Sequence, residues 1–419
     1  MSFVMSQRIM AGLALLTFAA FVNAAPLGVK DKQPQVEVVF CLDTTGSMGG
    51  LIEGAKQKIW SISNQIVAGK PTPGLKVGLL AFRDRGDAYV TKITPLTDDL
   101  DAIYSNIKEF KAEGGNDTPE SVNQALHESV TKFKWSEDKT TLRIIFLVGD
   151  APPHMDYKDD VPYSDSCKLA AEKGILINAI QCGIDADCKK AWEDIASKAS
   201  GSYVNIAQDG ATVRVLTPQD KRLAEINAEL ENSTLVYGSR EKQQRDQDAR
   251  LKALDGAKTE PAKPGDPKAT PSVTVTAPKA PAAAPGSVVP TTGDGPAGPG
   301  ITAGAIAADR AVFNAMRGNI NNWDLLGDIK SGKVKLDSLK DEELPDELRQ
   351  IPKENRQAFL GELEKKRGKL REEARDLAKK RDEFTKKRLE EEGKKGKEGF
   401  DQKVEELLKK QGKKAGIDY

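Results

Sequence analysis

Apolar residues follow two kinds of pattern in the first half of this sequence, and the two patterns alternate. Short runs rich in valine, isoleucine and leucine predict buried β-strands at residues 36–42, 75–82, 88–93, 141–149, 175–181 and 203–206. Apolar positions spaced three or four residues apart predict helices at residues 48–68, 100–110, 121–133 and 191–199. Because strands alternate with helices, we expect an α/β fold with a doubly wound, mostly parallel sheet flanked by helices.

The second half of the chain changes composition twice. Residues 216–256 predict a flanking helical segment, and residues 257–302 form a Pro/Ala/Gly-rich stretch that cannot bury a core. We expect this stretch to be an extended linker. It would separate the α/β domain at residues 33–215 from a helical, charged C-terminal region at residues 303–419.

A long charged helix is predicted beyond Pro352. Its apolar residues repeat every seven positions, at Leu363, Leu370, Leu377 and Phe384. The companion positions of this repeat hold Arg367, Ala374 and Arg381, so the pattern is half of a coiled-coil seam. It is typical either of a solvated helix with one apolar stripe or of a helix that binds a partner or a second copy of the chain.

Residues 1–24 carry the pattern of an export signal. Arg8 precedes a mostly apolar run at residues 9–22, and a small-residue cleavage site ends at Ala24. The run is shorter than the roughly 20 apolar residues that a membrane-spanning helix needs. We therefore expect a mature chain that begins at Ala25, has no integral membrane span and is periplasmic or secreted. An uncleaved anchor is the alternative.

Export would permit disulfide bonds among the four cysteines. Cys41 lies within the first predicted strand and is expected to be a buried thiol. Cys182 and Cys188 flank a short segment and form the best candidate pair, with Cys167 as a rival partner for either. Cysteine spacing alone does not choose among the pairings.

Oxygen-bearing side chains directly follow the first predicted strand. Asp43, Thr45 and Ser47 place one carboxylate and two hydroxyls on a tight turn. Oxygen ligands of this kind suit a hard divalent cation, most often Mg²⁺, with Mn²⁺ or Ca²⁺ as alternatives. The sequence therefore predicts the first part of a metal site at these three residues.

Two later segments supply further oxygen ligands. Asp150 ends the strand predicted at residues 141–149, and Thr118 and Glu120 lie in the glycine-containing loop at residues 114–120. In a parallel sheet, loops of this kind meet beyond the carboxyl ends of the strands. We therefore expect Asp150 and either Thr118 or Glu120 to join the metal site.

At these residues the chain resembles the von Willebrand factor A domain, over about residues 33–215. The metal-ion-dependent adhesion site of that family is usually written Asp-x-Ser-x-Ser, with a threonine and an aspartate on later loops. Thr45 stands in place of the first serine and keeps the hydroxyl. The Asp-Thr-Pro-Glu loop is more similar to the integrin β-subunit version, in which the glutamate is the ligand, so the resemblance favours Glu120 over Thr118. It also implies a Rossmann-like fold.

The resemblance implies a binding function. In the family, the metal keeps one coordination position open, and an acidic side chain of a partner fills it. We therefore expect an exported, divalent-metal-dependent adhesion or scaffold module whose partner is a protein that offers an acidic residue. Nucleic acid is not an expected partner, because Lys and Arg number 63 and Asp and Glu also number 63.

The alternative is a metal-dependent enzyme or a kinase-associated regulatory domain. The segment that runs from Asp43 through Arg83-Asp84-Arg85 is similar to the A domains attached to atypical alpha-kinases. His154, four residues beyond Asp150, could act as a base near the metal. The sequence has no phosphate-cradling loop followed by Lys-Ser/Thr and no nucleophile to accompany the histidine, so we do not expect an enzyme.

Overall fold

The computed structural model describes residues 33–115, 118–208, 213–255, 288–290, 299–391 and 400–419. The predicted export signal and most of the predicted linker lie outside these residues, as do Asn116 and Asp117 of the glycine-containing loop. Residues from Pro34 onwards belong to one structural unit. No helix in the described part of the chain is both long enough and apolar enough to cross a membrane.

Six strands form the central sheet, in the spatial order β3-β2-β1-β4-β5-β6. In chain order they are β1 (Gln35–Asp43), β2 (Gly74–Phe82), β3 (Thr91–Thr97), β4 (Leu142–Gly149), β5 (Ile175–Cys182) and β6 (Tyr203–Ile206). The strands pair in parallel, except that the edge strand β3 is antiparallel to β2. The strand order reverses at β1, where doubly wound sheets bind ligands. The predicted fold class is confirmed.

Helices cover both faces of this sheet. One face packs against α1 (Gly49–Val67), α2 (Leu100–Lys108) and α12 (Phe400–Gly412), and the other against α3 (Val122–Thr131), α4 (Tyr163–Glu172) and α5 (Ala186–Lys198). Alternate residues of each strand supply the two cores, so that in β1 Phe40 faces the α1 layer and Cys41 the opposite layer. Every residue of β4 is buried, which explains its unbroken apolar run.

Three observed elements differ from the prediction: two begin at another residue, and one was not predicted. β3 begins at Thr91 rather than at residue 88, because the preceding residues form a turn in which Asp87 N–H donates to Asp84 O. α4 has no counterpart among the predicted helices, since its buried face consists only of Ser166, Cys167 and Ala170. α5 begins at Ala186 rather than at residue 191, because Asp185 caps it by accepting a hydrogen bond from Cys188 N–H at 2.6 Å.

The remaining helices form a layer outside α1. They are α6 (Asp220–Asn232), α7 (Arg240–Asp255), α8 (Pro299–Arg317), α9 (Leu325–Lys330), α10 (Asp346–Arg349) and α11 (Lys353–Glu391). Two short strands, β7 (Val213–Val215) and β8 (Val288–Pro290), pair in antiparallel fashion. α8 joins this layer to the sheet domain, since the ring of Phe313 packs edge-on against Trp60 of α1, with 5.6 Å between ring centroids.

The apolar stripe of α11 is covered by other helices of the same chain. Leu370 and Ala374 lie in a core shared with α6 and α8. Arg367 is buried and pairs with Asp324 at 2.6 Å. Arg381 pairs with Asp220 and Asp309 of the neighbouring helices. The arginines at the companion positions of the repeat are therefore internal ion-pair partners. Of the four apolar positions of the repeat, Leu370 is buried and the other three are half-buried. Self-association through this helix stays a prediction.

α12 covers β5 on the α1 side of the sheet, although it lies far beyond β6 in the sequence. Gln411 and Asn178 of β5 exchange two side-chain hydrogen bonds, at 2.7 and 3.1 Å, and both residues are buried. Beyond the helix, Ile417 is fully buried, and the backbone of Asp418 exchanges two hydrogen bonds with that of Lys70. Residues 400–419 are therefore an integral part of the layer that packs on the sheet.

All four cysteines are buried, and none of them is part of a disulfide bond. Cys182 faces the α1 layer, whereas Cys188 belongs to α5 on the opposite face of the sheet. The candidate pair cannot form a disulfide without moving one of these layers. The preferred pairing is therefore wrong, and the prediction that Cys41 is a buried thiol is confirmed.

Candidate metal centre

The first loop of the candidate site begins where β1 ends. Asp43 is 1% exposed, and its Oδ1 accepts hydrogen bonds from Thr45 N–H at 2.8 Å and Thr45 Oγ1 at 2.6 Å. Thr45 Oγ1 lies 3.4 Å from Ser47 Oγ, and Ser47 is exposed. The turn thus runs from a buried carboxylate through two hydroxyls to the surface.

Neighbouring segments hold this turn in place. Thr44 donates both its N–H and its hydroxyl to the carbonyl of Phe82, each at 2.9 Å, which ties the turn to the end of β2. Gly46 N–H donates to Gly114 O at 3.1 Å. The buried Arg83 side chain donates through Nε to Thr44 O at 3.2 Å. Hydrogen bonds with neighbouring segments therefore hold the turn.

Glu120 reaches this turn from the glycine-containing loop. Its side chain is buried, and a Cβ on Gly115 would lie 2.8 Å from Thr45 Cβ and 3.1 Å from Glu120 Oε1. Gly115 also has a φ of +70°, a conformation that favours glycine. Thr118, in contrast, is exposed. The structure thus brings Glu120 next to Thr45 and leaves Thr118 at the surface.

Asp150 enters the site from the end of β4. Its backbone opposes the rise in the pKa of the Asp43 carboxyl. A Cβ on Gly149 would lie 3.0 Å from Asp43 Cβ, so the glycine permits this close approach. The Asp150 carboxylate accepts a hydrogen bond from Gln208 Nε2, which also lies 3.5 Å from Ser47 O. Gln208 therefore links the loop after β6 to two sides of the site.

Two acids of the candidate site have raised pKa values, because their negatively charged forms are disfavoured there. Burial, opposed by the hydrogen bonds from Thr45, raises the pKa of Asp43 to about 7. Burial raises the pKa of Glu120 to about 9, and the charge of Asp43 adds to that effect. Glu120 Oε2 is buried and has no hydrogen-bond partner among the described residues. A buried carboxylate oxygen without a hydrogen-bond donor lowers the stability of the protein unless a cation lies next to it.

The donor set suits a hard divalent cation. No group of three or more His, Cys, Asp or Glu side chains within the described ranges could by itself hold a metal. The candidate site instead combines the hydroxyls of Thr45 and Ser47 with the carboxylates of Asp43 and Glu120. Hydroxyl and carboxylate oxygens are ligands that Mg²⁺, Mn²⁺ and Ca²⁺ accept, and the partnerless oxygen of Glu120 fits such an ion.

A family model described as a von Willebrand factor A domain matches residues 37–217. This chain contains a von Willebrand factor A domain. The domain is 33% and 32% identical, over 123 residues each, to von Willebrand factor A domain-containing protein 7 of Rattus norvegicus and of Homo sapiens. Each match covers 29% of this chain and 13% of the relative, so the chain spans about an eighth of the length of these curated relatives.

Two other proteins resemble the von Willebrand factor A domain of this chain. An ariadne-like RING finger protein of Acanthamoeba polyphaga mimivirus is 26% identical over 124 residues, which cover 30% of this chain and 12% of that protein. Among solved structures, proximal thread matrix protein 1 from the mussel byssus, with a zinc-occupied MIDAS motif, is 17% identical. That match covers 42% of each chain with a TM-score of 0.31.

The von Willebrand factor A domain carries two further acids near the site that the sequence prediction omits. Asp87 Oδ2 accepts hydrogen bonds from the backbone N–H groups of Gly115 at 3.1 Å and Asp84 at 3.2 Å. Asp84 accepts hydrogen bonds from Ser121 Oγ at 2.7 Å and Tyr157 OH at 2.9 Å. Both acids follow β2 at the carboxyl edge of the sheet, which is the signal that could have identified them. They brace the glycine-containing loop.

His154 lies beside these bracing acids. Its Nδ1 is 2.7 Å from Asp156 Oδ1, and its Nε2 is 3.4 Å from Asp84 Oδ2. The ring stacks on Tyr157 with 4.1 Å between centroids. The backbone N–H of His154 donates to Glu120 O at 3.0 Å. In the von Willebrand factor A domain these contacts join the loop after β4 to the glycine-containing loop.

Proposed function

We propose that the von Willebrand factor A domain binds a divalent cation and, through it, a protein partner that offers an acidic side chain. Mg²⁺ is the first choice, with Mn²⁺ or Ca²⁺ as alternatives. The observation that carries the proposal is the carboxylate of Glu120, which is buried next to Thr45 with one oxygen lacking a hydrogen-bond partner among the described residues. Protein–protein interaction is also the general role of von Willebrand factor A domains.

The residues of the candidate site have distinct roles in this proposal. Asp43, Thr45, Ser47 and Glu120 would hold the cation, and Asp150 would contact it directly or through a water. When bound, the cation would offset the charge of the buried acids and offer one coordination position to a carboxylate of the partner. The family resemblance alone would also allow Thr118 as a ligand. Thr118 is exposed, whereas Glu120 is buried, so we choose Glu120.

We infer that the domain binds rather than catalyses. His154 has both ring nitrogens near acids that belong to the protein itself, Asp156 and Asp84, and its ring is stacked. In the segment similar to kinase-linked A domains, Arg83 supports the backbone of the first turn, and Arg85 pairs with two acids of the loop after β4. These contacts support structural roles for the residues on which the enzyme and kinase alternatives rest.

Calorimetric titration of the full chain with Mg²⁺ and Mn²⁺ tests the metal proposal. Asp43→Ala should abolish binding, because Asp43 is the only acid on the first loop, and Glu120→Gln should weaken it strongly. Thr118→Ala and Asp165→Ala serve as matched controls, since both side chains are exposed, and both variants should bind like the wild type. Circular dichroism would establish that each variant is folded. Unchanged affinity in folded Asp43→Ala would refute the site.

We also propose that the protein is exported, on the basis of the charged and apolar pattern at residues 1–24. The metal domain would then lie in the periplasm or outside the cell. N-terminal sequencing of protein from the exported fraction should return Ala25 as the first residue. A sequence that starts at Met1 would instead favour an uncleaved anchor.

A further inference from the structure

Exposed apolar side chains are concentrated near one edge of the sheet. Four large apolar residues of the described chain are exposed: Met155, Val161, Ile184 and Leu251. The first three lie in the loops that follow β4 and β5, at the carboxyl edge where the candidate metal centre lies, whereas Leu251 lies on α7. Single exposed apolar residues are common on protein surfaces, so the concentration at this edge is the informative feature.

The loop that presents Ile184 is held firmly by hydrogen bonds. Gly183 N–H donates to Ile206 O at 3.0 Å, and Asn205 Nδ2 donates to Gly183 O at 2.6 Å. On the other side, Asp185 O accepts a hydrogen bond from Gln181 Nε2 at 2.7 Å. Ile184 is nevertheless 96% exposed. A well-fixed loop that points an isoleucine into solvent is already organised for binding, because little conformational freedom is left to lose.

Met155 is presented in a similar way by the loop after β4. It is 63% exposed, although its backbone neighbour His154 is buried and accepts a hydrogen bond from Asn123 Nδ2 at 2.6 Å. The same amide lies 3.7 Å from Met155 Sδ. The flexible, polarisable side chain of methionine adapts to apolar partners of different shapes.

Contacts made by the neighbours of these two residues connect them to different acids of the candidate metal centre. His154, which precedes Met155, donates its N–H to Glu120 O. Gly183, which precedes Ile184, lies so close to Gln208 that a Cβ on the glycine would collide with the Gln208 side-chain amide. That amide donates a hydrogen bond to the Asp150 carboxylate. Met155 is thus adjacent to the Glu120 side of the site and Ile184 to the Asp150 side.

We propose that Met155 and Ile184 are the specificity-determining residues of this surface, and that they receive apolar side chains on either side of the partner's acidic residue. The inference rests on the proposed function, because the acidic residue is placed by the cation. Apolar contacts that surround a charged contact exclude water and strengthen it. The preferred partner segment therefore has the form apolar–acidic–apolar.

Three synthetic peptides coupled at high density to beads test this preference with the full chain in Mg²⁺. They are Gly-Leu-Glu-Leu-Gly, Gly-Ser-Glu-Ser-Gly and Gly-Leu-Gln-Leu-Gly. We expect the first peptide to retain the protein at least about tenfold better than the second, since burying even one of its two leucine side chains has an effect of that size. The third peptide should retain no protein, and chelator should release the protein from the first.

Substitutions at the two exposed residues complete the test. Ile184→Ser and Met155→Ser should each lower retention on the first peptide towards the level of the second, with unchanged Mn²⁺ affinity. Leu251→Ser is the matched control, since Leu251 is 54% exposed and remote in sequence, and it should change nothing.

Three outcomes would overturn the inference while wild-type metal binding stays intact: equal retention on the first two peptides, retention on none of them, or full retention of both variants. Retention on the glutamine peptide that survives chelator would mean nonspecific apolar adhesion and would overturn it too. Failure of the wild type to bind Mn²⁺ or Mg²⁺ would instead reject the proposed function and the inference with it.

Discussion

Thr45 Oγ1 donates a 2.6 Å hydrogen bond to Oδ1 of Asp43 within the turn that follows β1. The buried carboxylate of Asp43 accepts two hydrogen bonds from Thr45, this one from the hydroxyl and a second one from the backbone N–H. The first of these bonds also fixes the rotamer of the hydroxyl next to Ser47. The same side chain therefore stabilises the turn and places its oxygen beside Ser47, as the proposed metal site requires.

Thr45→Val removes the hydroxyl while it preserves the shape of the side chain. We expect the free energy of unfolding to fall by about 1–3 kcal/mol, because Asp43 loses a donor inside the protein. Mg²⁺ affinity should fall as well, since a proposed ligand is gone. Thr45→Ser keeps the hydroxyl and should retain most of both properties. Urea denaturation and calorimetry measure the two effects, and a valine variant with wild-type Mg²⁺ affinity would contradict the assignment.

Gly115→Ala should destabilise the protein for two reasons. Its φ of +70° disfavours alanine, and the new Cβ would lie 2.8 Å from Thr45 Cβ. Gly86→Ala is the matched control, because Gly86 has a φ of +94° but open space around it. The control substitution should lower the free energy of unfolding by about 1–2 kcal/mol, from backbone strain alone. Thermal unfolding should show a larger loss for Gly115→Ala, and equal losses would mean that crowding at Thr45 is unimportant.

The amide pair between Asn178 and Gln411 should couple α12 to the sheet. An alanine substitution at either residue leaves the side-chain amide of the other buried without that partner. It should lower the free energy of unfolding by about 1–3 kcal/mol. The double variant should lower the free energy of unfolding by less than the sum of the two, because neither side-chain amide of the pair is left without the other. Deletion of residues 400–419 should lower stability further, since it exposes this face of the sheet. Strictly additive single and double variants in urea denaturation would argue against the pairing.

Stability should fall in alkaline solution partly because of Cys167. Burial raises the pKa of this thiol to about 12, whereas an unfolded thiol has a pKa of about 8.5. Above the lower value the folded chain holds a proton that the unfolded chain releases, so stability declines as pH rises from about 8.5 towards 12. The urea midpoint should drop between pH 8 and pH 10, and Cys167→Ala should drop less. A thiol reagent at pH 8 should modify the cysteines only after unfolding.

Local patterns predicted the sheet well, whereas the candidate site residues stay a prediction. The unbroken apolar run of β4 correctly indicated a strand that is covered on both sides, and Asp150 directly follows that strand. Asp43, Thr45 and Ser47 are adjacent in sequence, so their grouping needed no knowledge of the fold. The structure likewise puts Glu120 next to Thr45, as the family motif implied. Export, metal binding and the predicted domain boundaries stay predictions.

Longer-range contacts could not be read from such patterns. Asp84 and Asp87 brace the glycine-containing loop through side chains that have no motif of their own. Arg367 breaks an apolar repeat in the sequence, and only the fold supplies its partner Asp324. Pairs of this kind depend on where distant segments pack, and a local period carries no information about that.

The position of α12 also has a consequence for when the domain can fold. The sheet face at Asn178 cannot be covered by its own helix until Gln411 has been synthesised, although all six strands are complete by Ile206. In a nascent chain, all six strands are therefore synthesised before the helix that covers this apolar face of the sheet. Exposed apolar faces of this kind are prone to aggregate or to bind chaperones. The export proposed above would benefit from this delay, because the chain would not have closed its core before transport begins.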